Sequence, residues 1–180
     1  SIAAFARFSL QLLSLGAPPE LVEACNQALA DETAHTRLCF GLASAYAGRA
    51  VGPGPLDVSG SLEPSSLGQI VELVIAEGCF GETSAALDAL EAADAAVDPV
   101  VIAAYSQIAS DEQRHAELAF RFVRWALERD RELTTLIAAA AAAGPRAGAA
   151  REVVEPCLHA LLQSYGAQQR AGDVLVRAQA

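Results

Sequence analysis

Two short stretches of the chain each combine a carboxylate pair with an imidazole, and the second repeats the first. Asp31-Glu32-Thr33-Ala34-His35-Thr36-Arg37-Leu38-Cys39-Phe40 aligns with Asp111-Glu112-Gln113-Arg114-His115-Ala116-Glu117-Leu118-Ala119-Phe120 at a constant offset of 80, with five identities in ten positions. The identities include the Asp, Glu and His of both copies. Glu and His three residues apart project from one helix face, one turn apart. A carboxylate oxygen and an imidazole nitrogen aimed at one point suit iron or manganese. A single Glu-x-x-His on a helix is ordinarily a solvated face or a local hydrogen bond. Two aligned copies change that reading.

The surroundings of the motifs strengthen it. One helical stripe runs Leu21, Cys25, Ala28, Glu32, His35, Cys39, Leu42, Tyr46, and another runs Val101, Tyr105, Ile108, Glu112, His115, Ala119, Phe122. Glu and His thus fall where the period places core residues. No Lys or Arg lies on either stripe, and a buried carboxylate without a partner costs several kcal/mol. Metal ions would resolve that conflict.

A two-metal site in a helical bundle also draws carboxylates from the helices that flank the motifs. One such helix carries Glu72, Glu77 and Glu82. Glu77 is the first choice of ligand and Glu82 an additional one, while Glu72 looks peripheral. Five residues apart on a regular α-helix, Glu77 and Glu82 would diverge by about 140°. A π-bulge, which Gly78 and Gly81 permit, would turn both toward one side. The other flanking segment, Ser1 to Leu15, contains no Asp, Glu or His. The spacing that separates Glu77 from Glu112, counted back from Glu32, falls ahead of Ser1. Either that carboxylate lies upstream and the first helix is cut, as its short length suggests, or the site has lost one ligand.

The elements that must position these residues are helical. Periodicity and punctuation predict helices over about 1–15, 19–47, 64–96 and 98–129, and a fifth over 150–165, kinked or begun near Pro156. The first and second are joined by a short turn, as are the third and fourth, whereas Gly48 to Ser61 is rich in Gly, Pro and Ser. Short, long, short is the connectivity of a four-helix bundle with one crossover. The expected architecture is all-α: a bundle over 1–130 with its long crossover between helices 2 and 3, and a C-terminal helical extension over 131–180.

Composition narrows the partners. A net charge of −10 argues against nucleic acid and against an anionic membrane surface. No stretch reaches the ~18 uncharged apolar residues of a membrane span. Cys25, Cys39, Cys79 and Cys157 show no Cys-x-x-Cys spacing and each sits in an apolar helical pattern. They read as buried free thiols of a reducing, cytoplasmic compartment. Tyr105 reads as core with a possible reach to the edge of the site, and His159 as structural.

With these motifs the chain resembles the ferritin-like di-metal carboxylate superfamily, and more narrowly the bacterial ferritin-like domain proteins. The resemblance spans Ser1 to Leu127 and is specific in the two Asp-Glu-x-x-His motifs and in Glu77 to Thr83. A more distant similarity is to the tRNA-modifying di-iron hydroxylases, which share the Glu-x4-Glu of the third helix; the basic surface of a tRNA enzyme is missing here. The resemblance implies two Fe ions, or Mn, held by Glu32, His35, Glu77, Glu82, Glu112 and His115. It implies that Asp111 orients His35 and Asp31 orients His115 from across the bundle. The implied activity is that of an oxidoreductase using O2 or peroxide. The alternatives are an iron-binding ferroxidase that handles metal, which would call for a homo-oligomer, and a bundle with a vestigial site.

Overall fold

Local chemistry sets the helix boundaries. In this computed structural model, which describes residues 1–61, 63–145 and 147–178 and side chains as far as residue 165, the described residues form helices and no strand. Helix α1 (Ile2–Leu15) ends at Gly16, whose φ of 64° lies in the left-handed region that a Cβ disfavours. Pro19 then opens α2 (Pro19–Ala47) at its first turn, where the missing N–H costs nothing. Ser66 and Gln69 form a reciprocal capping box at the start of α3 (Leu67–Leu73). Without a break, α3 runs into a π segment (Val74–Glu82) and then α4 (Thr83–Ala95), making one long rod. The Asp98 side chain accepts from the Val100 N–H at 2.8 Å and caps α5 (Pro99–Arg129).

The π segment lies where two glycines allow the helix to widen. A Cβ added to Gly78 would stand 2.6 Å from the Ala119 Cβ, so glycine is what lets this stretch press against α5. The core runs from Phe8 and Leu12 of α1 through Ile75 and Cys79 of the π segment to Phe122 and Leu127 of α5.

The C-terminal part holds two helices. An alanine-rich stretch to which periodicity gave no bounds is a helix of its own, α6 (Leu133–Ala143). Helix α7 (Ala149–Ala178) begins within a residue of the predicted start, keeps Pro156 inside it and runs past residue 165. Ile137 of α6 and Val154 and Leu158 of α7 are fully buried in the same core as the other helices. Cys25 and Cys79 are buried, but Cys39 and Cys157 are exposed, contrary to the reading of four buried thiols. Beyond His35 the apolar stripe of α2 lines an open groove with Val101 and Tyr105 of α5, and Cys39 stands at its edge. No described helix is long and apolar enough to cross a membrane.

Candidate metal centre

Helices α2 and α5 lie side by side, and the repeat puts their motifs at the same level. Glu32, His35, Glu112 and His115 are all buried, at 7%, 6%, 6% and 2% exposure. Glu82 joins them from the last residue of the π segment. One ligand atom from each of Glu32, Glu82, Glu112 and His115 lies within 4.8 Å of the other three, which is the span of a metal-binding group. His35 flanks that group, with Nδ1 3.4 Å from Glu112 Oε1 and 3.7 Å from Glu32 Oε1. His115 Nδ1 lies 2.9 Å from Glu112 Oε2, 3.7 Å from Glu32 Oε1 and 3.9 Å from Glu82 Oε2.

Both imidazoles thus turn Nδ1 toward the carboxylates, and each turns Nε2 to the aspartate of the opposite motif. His35 Nε2 lies 2.9 Å from Asp111 Oδ2, and His115 Nε2 lies 3.3 Å from Asp31 Oδ2. This is the crossed pairing that the resemblance implied. Such bonds fix the ring orientation and leave one nitrogen for a metal. Each aspartate is held in turn by a glutamine four residues before it: Gln27 donates to Asp31 at 2.8 Å and Gln107 to Asp111 at 2.8 Å. Arg114 donates to both aspartates, at 3.0 Å to Asp31 and 2.6 Å to Asp111.

Sequence reasoning passed over these three residues. Gln27 and Gln107 are separated by the same offset as the motifs, so extending the alignment four residues upstream would have found them. Arg114 sits inside the second motif, and its counterpart Ala34 breaks the repeat.

The two glutamates of the π segment part company. Glu82 enters the cluster, whereas Glu77 points to the surface, its carboxylate 54% exposed and 2.9 Å from the Arg7 guanidinium. The π segment is present, yet it does not turn both carboxylates inward, because a cation on α1 holds Glu77 outside. Glu72 is exposed on the same rod. Tyr105 lines the groove between α2 and α5, and His159 is exposed on α7 with its ring 2.8 Å from the Gln163 amide. From α1 the site receives an aromatic wall: the Phe5 ring meets His115 edge-on at 5.0 Å.

Crowded carboxylates at this depth shift their protonation. Burial, then the neighbouring Glu112 and Glu32, pushes Glu82 up to about 9, so it keeps its proton at neutral pH. Burial and the Glu112 charge raise Glu32 as well. For Glu112 burial works upward too, but hydrogen bonds from His115 and Glu82 outweigh it and hold the group below its ordinary value. The same contest favours the charged form of His115, where burial is overcome by Glu112 and Asp31.

The cluster fits a cation. Glu32 Oε1 is buried and has no hydrogen-bond partner among the described residues, an unmet acceptor amid other acceptors. A buried group left unpaired costs on the order of 1–3 kcal/mol. Three carboxylates and two imidazole Nδ1 atoms form an oxygen-rich mixed donor set able to hold a metal ion, with no thiolate among them. Comparison of the chain with family models, with curated proteins and with solved structures finds no match in any of the three.

Proposed function

We propose that this chain is a ferritin-like di-metal carboxylate protein, binding two Fe or Mn ions and acting as an oxidoreductase on O2 or peroxide. The observation that carries the reading is the buried cluster of Glu32, Glu82, Glu112 and His115, with His35 beside it. Its helix order supports the bundle: a short turn between α1 and α2, a long connection from Gly48 to Ser66, and a short turn between α4 and α5. Glu32 and His35 would serve one side of the site and Glu112 and His115 the other, with Glu82 between them from the π segment.

Bound there, a redox-active metal pair supplies open coordination positions and electrons for an oxidant. The chain's own residues prepare for it. Asp31 and Asp111 hold the imidazoles by Nε2 so that both Nδ1 atoms face the carboxylates. Glu82 carries a proton that a cation would displace, which makes binding proton-coupled. Phe5 closes the α1 side against His115. A cavity of about 50 Å³, with Phe8, Val74, Leu118 and Ala119 among its walls, touches both Glu82 and His115, and Arg7 and Glu77 line it as well. It is large enough for a few water-sized molecules.

Metal analysis after anaerobic loading with Fe(II), and separately with Mn(II), tests the reading. Close to two ions per chain are expected, followed by consumption of O2 or peroxide by the reduced protein. A chain that takes up neither metal overturns the proposal.

A further inference from the structure

One charged residue of the repeat has an uncharged counterpart: Arg114 in α5 stands where α2 has Ala34. Its side chain is 49% exposed, yet it ends on two carboxylates that are far less so, Asp111 at 4% and Asp31 at 12%. Asp111 belongs to its own helix and Asp31 to α2. One guanidinium therefore ties the two motif helices together at the level from which both imidazoles are held.

Two features separate this from an ordinary surface ion pair, which contributes little. First, each aspartate is already the acceptor of an imidazole and of a glutamine, so the guanidinium completes a closed set of donors around a mostly buried acceptor. Both contacts come from one guanidinium nitrogen, Nη2, while Nη1 donates to the Ser110 carbonyl at 3.3 Å. The rigid plane fixes where the two Nη2 N–H groups point, which the freely rotating ammonium of a lysine cannot do. Second, the sharing is uneven. On Asp111 the guanidinium takes Oδ1 and His35 takes Oδ2, whereas on Asp31 both the guanidinium and His115 use Oδ2. The imidazole contact is 2.9 Å where the oxygens are separate and 3.3 Å where one oxygen is shared.

We propose that Arg114 is a positioning residue that locks Asp31 and Asp111 in the orientations that receive His115 and His35, and that its one-sided origin leaves the His115 half the looser. The inference rests on the reading of the cluster as a metal centre. It makes the two metal positions unequal, with the His35 side filled first.

The test uses the full chain as wild type, Arg114→Ala and Arg114→Lys, with Co(II) as the probe. Chelator competition gives affinity, the visible ligand-field bands report coordination, and imidazole N–H signals of the metal-free protein report the aspartate contacts directly. Wild type should bind Co(II) in two resolved steps and show exchange-protected Nε2–H signals from both histidines. Arg114→Ala should weaken Co(II) by about 10–100-fold, the usual range for a lost outer partner, shift the bands and lose both N–H signals. Arg114→Lys keeps a charge beside the aspartates, which guards against an alanine variant that fails to fold, and should keep one N–H signal with intermediate affinity. Wild type that binds no Co(II) would remove the metal reading and this inference with it. Wild type that binds, beside an alanine variant equal to it in affinity and N–H signals, would overturn the inference alone. So would a lysine variant indistinguishable from wild type, or two steps of equal affinity.

Discussion

The α2 and α5 halves of the site carry the same motif but stand in different company. Each supplies a buried Glu and His and an aspartate steadied by a glutamine four residues earlier. Their flanks diverge: α5 has the π segment beside it, which brings Glu82, while α2 has α1, which brings the Phe5 ring against the opposite histidine. The paired residues are those any symmetric two-ion site needs. The unpaired ones, Glu82 and Arg114, make the halves unequal. Repetition thus accounts for the ligand types, and the flanking helices account for the asymmetry.

The largest effect should come from breaking the shared part. Glu112→Ala and Glu32→Ala each remove a buried carboxylate that approaches both histidines, at 3.4 Å and 2.9 Å for Glu112 and at 3.7 Å to each for Glu32. Each variant should lose well over half of the bound Fe(II) in metal analysis, with affinity falling by about 100-fold or more, beyond what outer partners cost. One variant retaining a full complement of two ions would show that the halves do not share their carboxylates.

Next in size is a transplant of the asymmetric residue. Arg114→Ala combined with Ala34→Arg moves the guanidinium to the equivalent place on α2, three residues after Asp31 instead of Asp111. The doubly changed chain should recover most of the roughly 10–100-fold Co(II) affinity lost by Arg114→Ala alone. It should also exchange the tighter and looser histidines, read from their N–H signals. Failure to recover affinity while remaining folded would mean that the helices approach unequally, and that the pseudo-twofold relation ends at the backbone.

How much of this contrast was legible in the sequence depends on what kind of interaction set it. The motif residues were, because a repeat and a helical period are properties of the chain alone. So were the helices of the first 129 residues, whose ends are marked by Gly16, Pro19, Gly48, Asp98 and Pro99. The glycines flagged the widened turn at residues 74–82. The order of Glu77 and Glu82 was not legible, since it turns on Arg7, a residue distant in sequence that meets Glu77 across the α1 interface. Helix α6 escaped because a run of alanines has no apolar period to read, its place being fixed by Leu133, Ile137 and Ala141 packing into the core. Cys39 and Cys157 were misjudged as buried because an apolar stripe says which face is apolar and not how far along a helix that face is covered.

A smaller effect separates Glu82 from the paired glutamates through pH. Its folded pKa of about 9 lies above that of an unfolded glutamate, so the metal-free native chain holds a proton that the unfolded chain releases. The stability this contributes is complete below the unfolded value and is lost as pH rises toward 9. Glu32 and His115, also raised, work in the same direction, whereas Glu112 and Asp111, both lowered, contribute above the unfolded carboxylate range and lose their share in acid. One proton amounts to at most about 1.4 kcal/mol per pH unit. Urea unfolding of the metal-free protein between about pH 6 and 9 should therefore show falling stability, and Glu82→Gln should flatten the fall. Metal affinity should rise over the same interval, because the cation displaces that proton. A wild-type profile no steeper than that of Glu82→Gln would assign the proton elsewhere.

The smallest effect sharpens the contrast within the π segment itself. Glu77 and Glu82 are five residues apart on one rod, and only one of them reaches the cluster. Glu77→Gln removes a half-exposed ion pair with Arg7, the kind of contact that contributes about 0–1 kcal/mol and weakens further in salt. Metal content and the ligand-field spectrum should stay at the wild-type level, and the unfolding midpoint should move by no more than that energy allows. The pairing with Arg7, and no general need for carboxylates on this helix, then decides which glutamate reaches the cluster. Loss of one ion per chain in Glu77→Gln would reverse this: it would mean that Glu77 leaves Arg7 and swings inward once a cation is present.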